Sequence, residues 1–163
     1  MTKILLSLHV LAAIVAVGPV TVAASMFPAA VRKAPVSVPA GAGAGEQAGP
    51  GDVRTVGLLH RICRVYAGLG IAVPVLGLAT AAAMGVLGDA WLVTSLILTA
   101  VAAGLLVAFV LPRQEELLAE LADRRPVERA RTARLAMLTG LFNLLWATVT
   151  VLMVVRPGST TGA

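Results

Sequence analysis

The chain has a single cysteine, Cys63. An intrachain disulfide needs two and a thiolate metal cluster needs more, so both are excluded. Charge is scarce as well. A soluble domain carries about 25% charged residues, whereas these 163 residues carry 13%. Aromatic residues make up only 4%, which favours close packing of small side chains over aromatic anchoring. None of the carboxylates falls inside an apolar run: Asp89 sits in a turn and the others lie in polar stretches. Proton and cation pathways through hydrocarbon use intramembrane Asp, Glu, Lys or Arg. No Ser-His-Asp, His-Glu-x-x-His or paired-acid arrangement can be assembled on one side of a membrane. These absences argue against an enzyme, and no cofactor and no metal site is expected.

What the chain has is apolar length. Hydrophobic residues make up 58% of it, and the mean hydropathy is +0.92. They cluster in runs of roughly 20 residues or more, the length that crosses a bilayer as a helix. Four spans are predicted, at about 4–27, 58–87, 90–111 and 135–155. The fold class is therefore all-α: a polytopic membrane protein of one four-helix transmembrane domain, residues 1–163. Lys3 before an apolar run resembles a signal peptide, but the run from Ile4 to Phe27 is long for one, and an uncleaved helix is expected. Pro19 and Pro74 predict kinks. Gly88-Asp89 predicts a tight turn.

Two connections are long. Residues 29–57 are rich in Pro, Gly and Ala without apolar periodicity, which predicts a flexible loop. No Gly-Lys-Ser/Thr follows its glycines, so a phosphate cradle is not indicated. Residues 112–134 hold six arginines and predict a helical hairpin between spans three and four. Within it Glu120 and Arg124 form an expected i, i+4 pair. Pro126 suits the first turn of the next helix, with Glu128 near its positive end. Positive residues decide orientation. The two long connections and the mouth of span two carry eleven of the thirteen Lys and Arg, leaving Lys3 and Arg156 for the other side. Loops 29–57 and 112–134 are thus expected in the cytoplasm of a bacterial plasma membrane, with both termini outside. The net charge of +5 is explained by this bias and by anionic head groups, and no nucleic acid is implied.

The candidate functional residues are contacts. Arg61, Arg64, Arg124, Arg125, Arg129 and Arg131 are expected to meet anionic phospholipid heads or a partner. Gly68 and Ala72, and later Gly77, Ala81 and Gly85, in span two, and Ala100, Gly104 and Ala108 in span three, form small-residue rows that let helices approach closely. They could pack spans two and three together or dock a partner's helix. Asn143, the most polar residue in the middle of span four, is expected to bond to a neighbouring helix. His9 and His60 differ in depth by roughly 25 Å at 1.5 Å per residue, too far to share one haem iron. His9 is expected to bond to a neighbouring helix and His60 to sit among lipid phosphates. Cys63 is expected to be inert.

The first span, LLSLHVLAAIVAVGP, and the second, LLHRICRVYAGLGIAVPVLGLATAA, resemble a group of small four-helix membrane proteins of actinobacteria. The markers are His9, Gly18-Pro19, His60-Arg61 and Pro74. The resemblance is closest to the accessory subunits called prokaryotic respiratory supercomplex association factors, which accompany the cytochrome bcc–aa3 supercomplex. It implies a non-catalytic role in assembling or stabilising that complex, with cytochrome bcc and aa3 oxidase subunits as partners. A small transporter or channel and a haem-binding redox protein are the alternatives.

Overall fold

A computed structural model describes residues 2–34 and 53–158. Those residues are helical throughout, with no strand among them. Helix α1 spans Thr2–Lys33, α2 Val53–Leu69, α3 Ala72–Met84, α4 Ala90–Leu105, α5 Leu111–Ala122 and α6 Arg129–Val155, with a π-helical turn at Leu106–Val110 joining α4 to α5. Four helical rods result, at Thr2–Lys33, Val53–Met84, Ala90–Ala122 and Arg129–Val155, each long and apolar enough to cross a membrane.

The predicted loop 29–57 is shorter than expected. Residues 29–33 extend α1 and residues 53–57 begin α2. The remainder of the predicted loop, residues 35–52, lies outside the described residues, as does the tail beyond Gly158. Hydropathy drops at Arg32 and Lys33, but helix formation does not need apolar residues, so α1 runs past its apolar stretch.

Two of the prolines, Pro74 and Pro112, act about one turn upstream of where they stand. Pro74 cannot donate to the Gly70 carbonyl, and its ring crowds that carbonyl. The second rod accordingly breaks at Gly70-Ile71, where the Val73 N–H takes the Gly70 oxygen at 3.2 Å. Glycine suits the joint, since a Cβ there would lie 3.2 Å from the Ala67 carbonyl oxygen. Pro112 similarly denies a donor to Ala108. The chain inserts the π-helical turn just before it, and the Leu111 N–H reaches back five residues to the Leu106 oxygen. Helix α1 stays continuous through Pro19 and Pro28.

Pro126 does not start α6, contrary to the sequence expectation. Helix α5 ends in a Schellman motif. Arg124 takes the left-handed conformation at φ 56°, its N–H donates to Leu121 O at 3.1 Å, and the Arg125 N–H donates to Glu120 O at 2.8 Å. Proline commonly follows such a stop because it cannot continue the helix. Glu128 is extended, and α6 begins at Arg129. Gly85, at φ 73°, ends α3 by the same left-handed device.

Helix α1 is the hub, packing on α2, α3 and α6, while α4 packs on α6 and α5 on α2. At the end carrying the α5–α6 hairpin, the four rods close into a ring around Phe27, Val56, Cys63, Val110, Leu117 and Leu135. These positions recur every three or four residues on each helix, so each rod turns one stripe inward. The opposite end, at the Gly88 turn, holds a smaller cluster of Ala81, Trp91 and Leu92. There Trp91 Nε1 donates to Asp89 Oδ2 at 2.9 Å, and the Arg156 guanidinium lies 5.7 Å from the Trp91 ring centroid.

Candidate functional site

Two of the buried polar side chains, His60 and Gln114, meet between α2 and α5. His60 and Cys63 share the inward stripe of α2 with Val56 and Leu59. Gln114 stands at i, i+3, i+7 with Leu117 and Leu121, the inward stripe of α5. Gln114 and Cys63 are fully buried and His60 nearly so. The Gln114 amide bridges the other two: Nε2 donates to Cys63 Sγ at 3.7 Å, and Oε1 lies 3.2 Å from His60 Nδ1. Since the amide oxygen only accepts, Nδ1 must be the donor. The other ring nitrogen, Nε2, is 3.5 Å from Glu115 Oε1. Both ring nitrogens thus face acceptors on α5, and the cluster ties α2 to α5. Sequence reasoning placed His60 among lipid phosphates; it is instead enclosed against α5, because its helical phase matches Val56 and Cys63. Gln114 was missed, although its spacing from Leu117 and Leu121 carries the signal.

His9 does reach a neighbouring helix. Its Nδ1 donates to the Val73 carbonyl oxygen at 2.9 Å. The ring lies on Gly77, where a Cβ would come within 2.9 Å of His9 Cε1. Glycine is needed there for close approach. Asn143 Nδ2 donates to Ser25 Oγ at 2.9 Å, joining α6 to α1. Thr139 Oγ1, Asn143 Oδ1 and Trp146 Nε1 are buried on α6 without a protein partner among the described residues.

The arginines divide. Arg131 turns to α5, where it donates to Glu116 Oε2 at 2.7 Å and also to Glu120 Oε1. Glu116 and Glu120 are four residues apart and so share a face of α5. The expected Glu120–Arg124 pair is not formed, because Arg124 has left the helix and Arg131 takes the carboxylate. Arg131 is consequently an internal clasp of the hairpin. Arg125 makes an exposed local pair with Asp123 at 2.8 Å. Arg61, Arg64, Arg124 and Arg129 are exposed, with no ion pair among the described residues.

The later span-two row is used inside the bundle, with Gly77 against His9 and Ala81 buried beside Trp91 and Leu92 of span three. The rows at Gly68 and Ala72 and at Ala100, Gly104 and Ala108 do not pack spans two and three together. Gly68, Ala72, Ala100, Gly104 and Ala108 are all exposed, and a Cβ on Gly68 or Gly104 would meet nothing within 4 Å. Span three faces the bundle with Ser95, Ala102, Leu106 and Val110 instead. Gly104 is two residues from Ala102 and Leu106, half a helical turn away, and therefore faces outward. Among the described residues no group of three or more His, Cys, Asp or Glu could hold a metal ion.

Against known families, characterised proteins and solved structures, the chain shows no match. Its contacts and exposed faces are therefore the basis for a functional reading.

Proposed function

We propose that the chain is a non-catalytic accessory subunit of a larger membrane complex and works by helix contact. One observation carries the reading: the rows at Gly68 and Ala72 and at Ala100, Gly104 and Ala108 face outward and unfilled. In lipid, such rows are where helix backbones approach, since hydrocarbon supplies no hydrophobic drive for association. A bundle using them for its own packing would have buried them. The Lys/Arg distribution orients the chain with its hairpin in the cytoplasm and both termini outside. There Arg61, Arg64 and Arg124 are free to meet an acidic partner surface or anionic lipid heads. The resemblance of the first two spans to the supercomplex association factors suggests the partners: cytochrome bcc and aa3 oxidase subunits.

The test is purification of the tagged full chain in mild detergent, combined with native-gel migration and oxygen consumption in a deletion strain. Both oxidase and cytochrome bcc subunits are expected to accompany the chain. Deletion is expected to weaken or redistribute the assembly while each enzyme keeps its intrinsic chemistry. A fully preserved supercomplex, with this protein migrating alone at its own mass, would overturn the proposal.

A further inference from the structure

A cavity of about 360 Å³ opens where α1 ends and α6 begins. Its lining comes from Val31, Arg32 and Ala34 on the α1 side, Leu121 on α5, and Arg129 and Thr132 on α6. Val31, Ala34, Leu121 and Thr132 are buried and form its inner wall. Arg32 and Arg129 are exposed at its rim. No carboxylate lines it among the described residues, and neither arginine has an ion pair there. Helical phase explains the contrast with Arg131. Residues two apart on a helix point to nearly opposite sides, so Arg131 meets the α5 acids while Arg129 meets the α1 end. The positive end of the α6 dipole borders the same space.

Position selects the ligand. Arg32 and Lys33 are the first charged residues after the apolar run that begins at Ile4, which sets the α1 side of this cavity where hydrocarbon gives way to head groups, with Leu121 and Arg129 further out in the head-group layer. Two cationic forks above an apolar wall match an anion carried on an apolar body. We infer that this cavity is a binding site for the phosphate of an anionic phospholipid, held between Arg32 and Arg129. The inference depends on the chain being in a bilayer and is independent of any protein partner.

Native mass spectrometry of the detergent-purified full chain, titrated with phosphatidylglycerol or phosphatidylcholine, tests it. Phosphatidylglycerol is expected to be retained well above phosphatidylcholine. Arg32→Gln and Arg129→Gln should each weaken retention about fivefold, and the pair about twenty-fivefold, from roughly 1 kcal/mol per cation near the head groups. Arg134→Gln, at the same end but outside the cavity, should change nothing, and inorganic phosphate should not compete. Should an arginine variant fail to fold, Ala34→Trp decides the matter, since it fills the cavity with every charge in place and should abolish selective retention. Undiminished retention in the double variant or in Ala34→Trp overturns the site. An equal loss with Arg134→Gln reduces it to diffuse charge, and competition by inorganic phosphate replaces the lipid with a free anion; both overturn the proposal.

Discussion

The hairpin end and the turn end of this bundle are built on different terms. At the hairpin end four rods close around Phe27, Val56, Leu117 and Leu135, with a buried amide bridging α2 and α5. At the turn end the described core is Ala81, Trp91 and Leu92, fastened by side-chain bonds to Asp89 and Arg156. Between the ends, spans two and three present small residues outward. The larger buried core thus lies at the hairpin end, while the turn end is held by α1 against α3 and by a few polar side-chain contacts.

Substitutions can break that comparison. Phe27→Ala should have the largest effect, about 3–5 kcal/mol of destabilisation by analogy with cavity-forming changes in soluble cores. Unfolding of the purified protein in micelles measures it, and a loss under about 1 kcal/mol would remove the distinction between the ends. Gln114→Leu should cost about 1–3 kcal/mol by stranding the His60 Nδ1 donor. If Gln114→Leu instead proves neutral, the α2–α5 bridge contributes shape alone. Gly77→Ala tests packing nearer the turn end. It displaces the His9 ring from Val73, and a loss of about 1 kcal/mol is expected, a typical value for an interhelical bond in lipid. In a His9→Ala background the same change should cost almost nothing; equal costs in both backgrounds would mean the ring does not need that glycine. Gly104→Leu should have the smallest effect on the isolated protein, within about 0.5 kcal/mol, because its Cβ position is open. Its effect should appear in lost co-purification of partners. A lowered melting temperature of the lone subunit would show that this face packs internally after all.

The four rods and the Gly88 turn were legible because hydropathy and glycine mark them directly. The facing of the rods was not. A helix that is apolar all round carries little periodic contrast between lipid and protein, so nothing in the stretch ILTAVAAGLLVA separates the inward Ala102 from the outward Gly104. Charged and polar stretches carry more of that information. Gln114 shares a stripe with two leucines, and Glu116 and Glu120 share a face that needs a cation from across the hairpin. Pro126 was misplaced because proline marks both starts and stops, and the left-handed Arg124 that decides the matter has no glycine to advertise it. The break at Gly70 follows from Pro74 once its effect is counted to the carbonyl four residues earlier.

The hub position of α1 sets a schedule for biogenesis. Its Ser25–Asn143 bond joins residues 118 apart in sequence. At roughly 5–20 residues per second of synthesis, the donor follows the acceptor by roughly 6–24 s. During that interval α1 can already lie against α2 and α3, but its α6 face has no partner from its own chain. The insertion machinery, or a waiting helix of another subunit, must therefore accommodate a half-dressed first helix until the last one arrives.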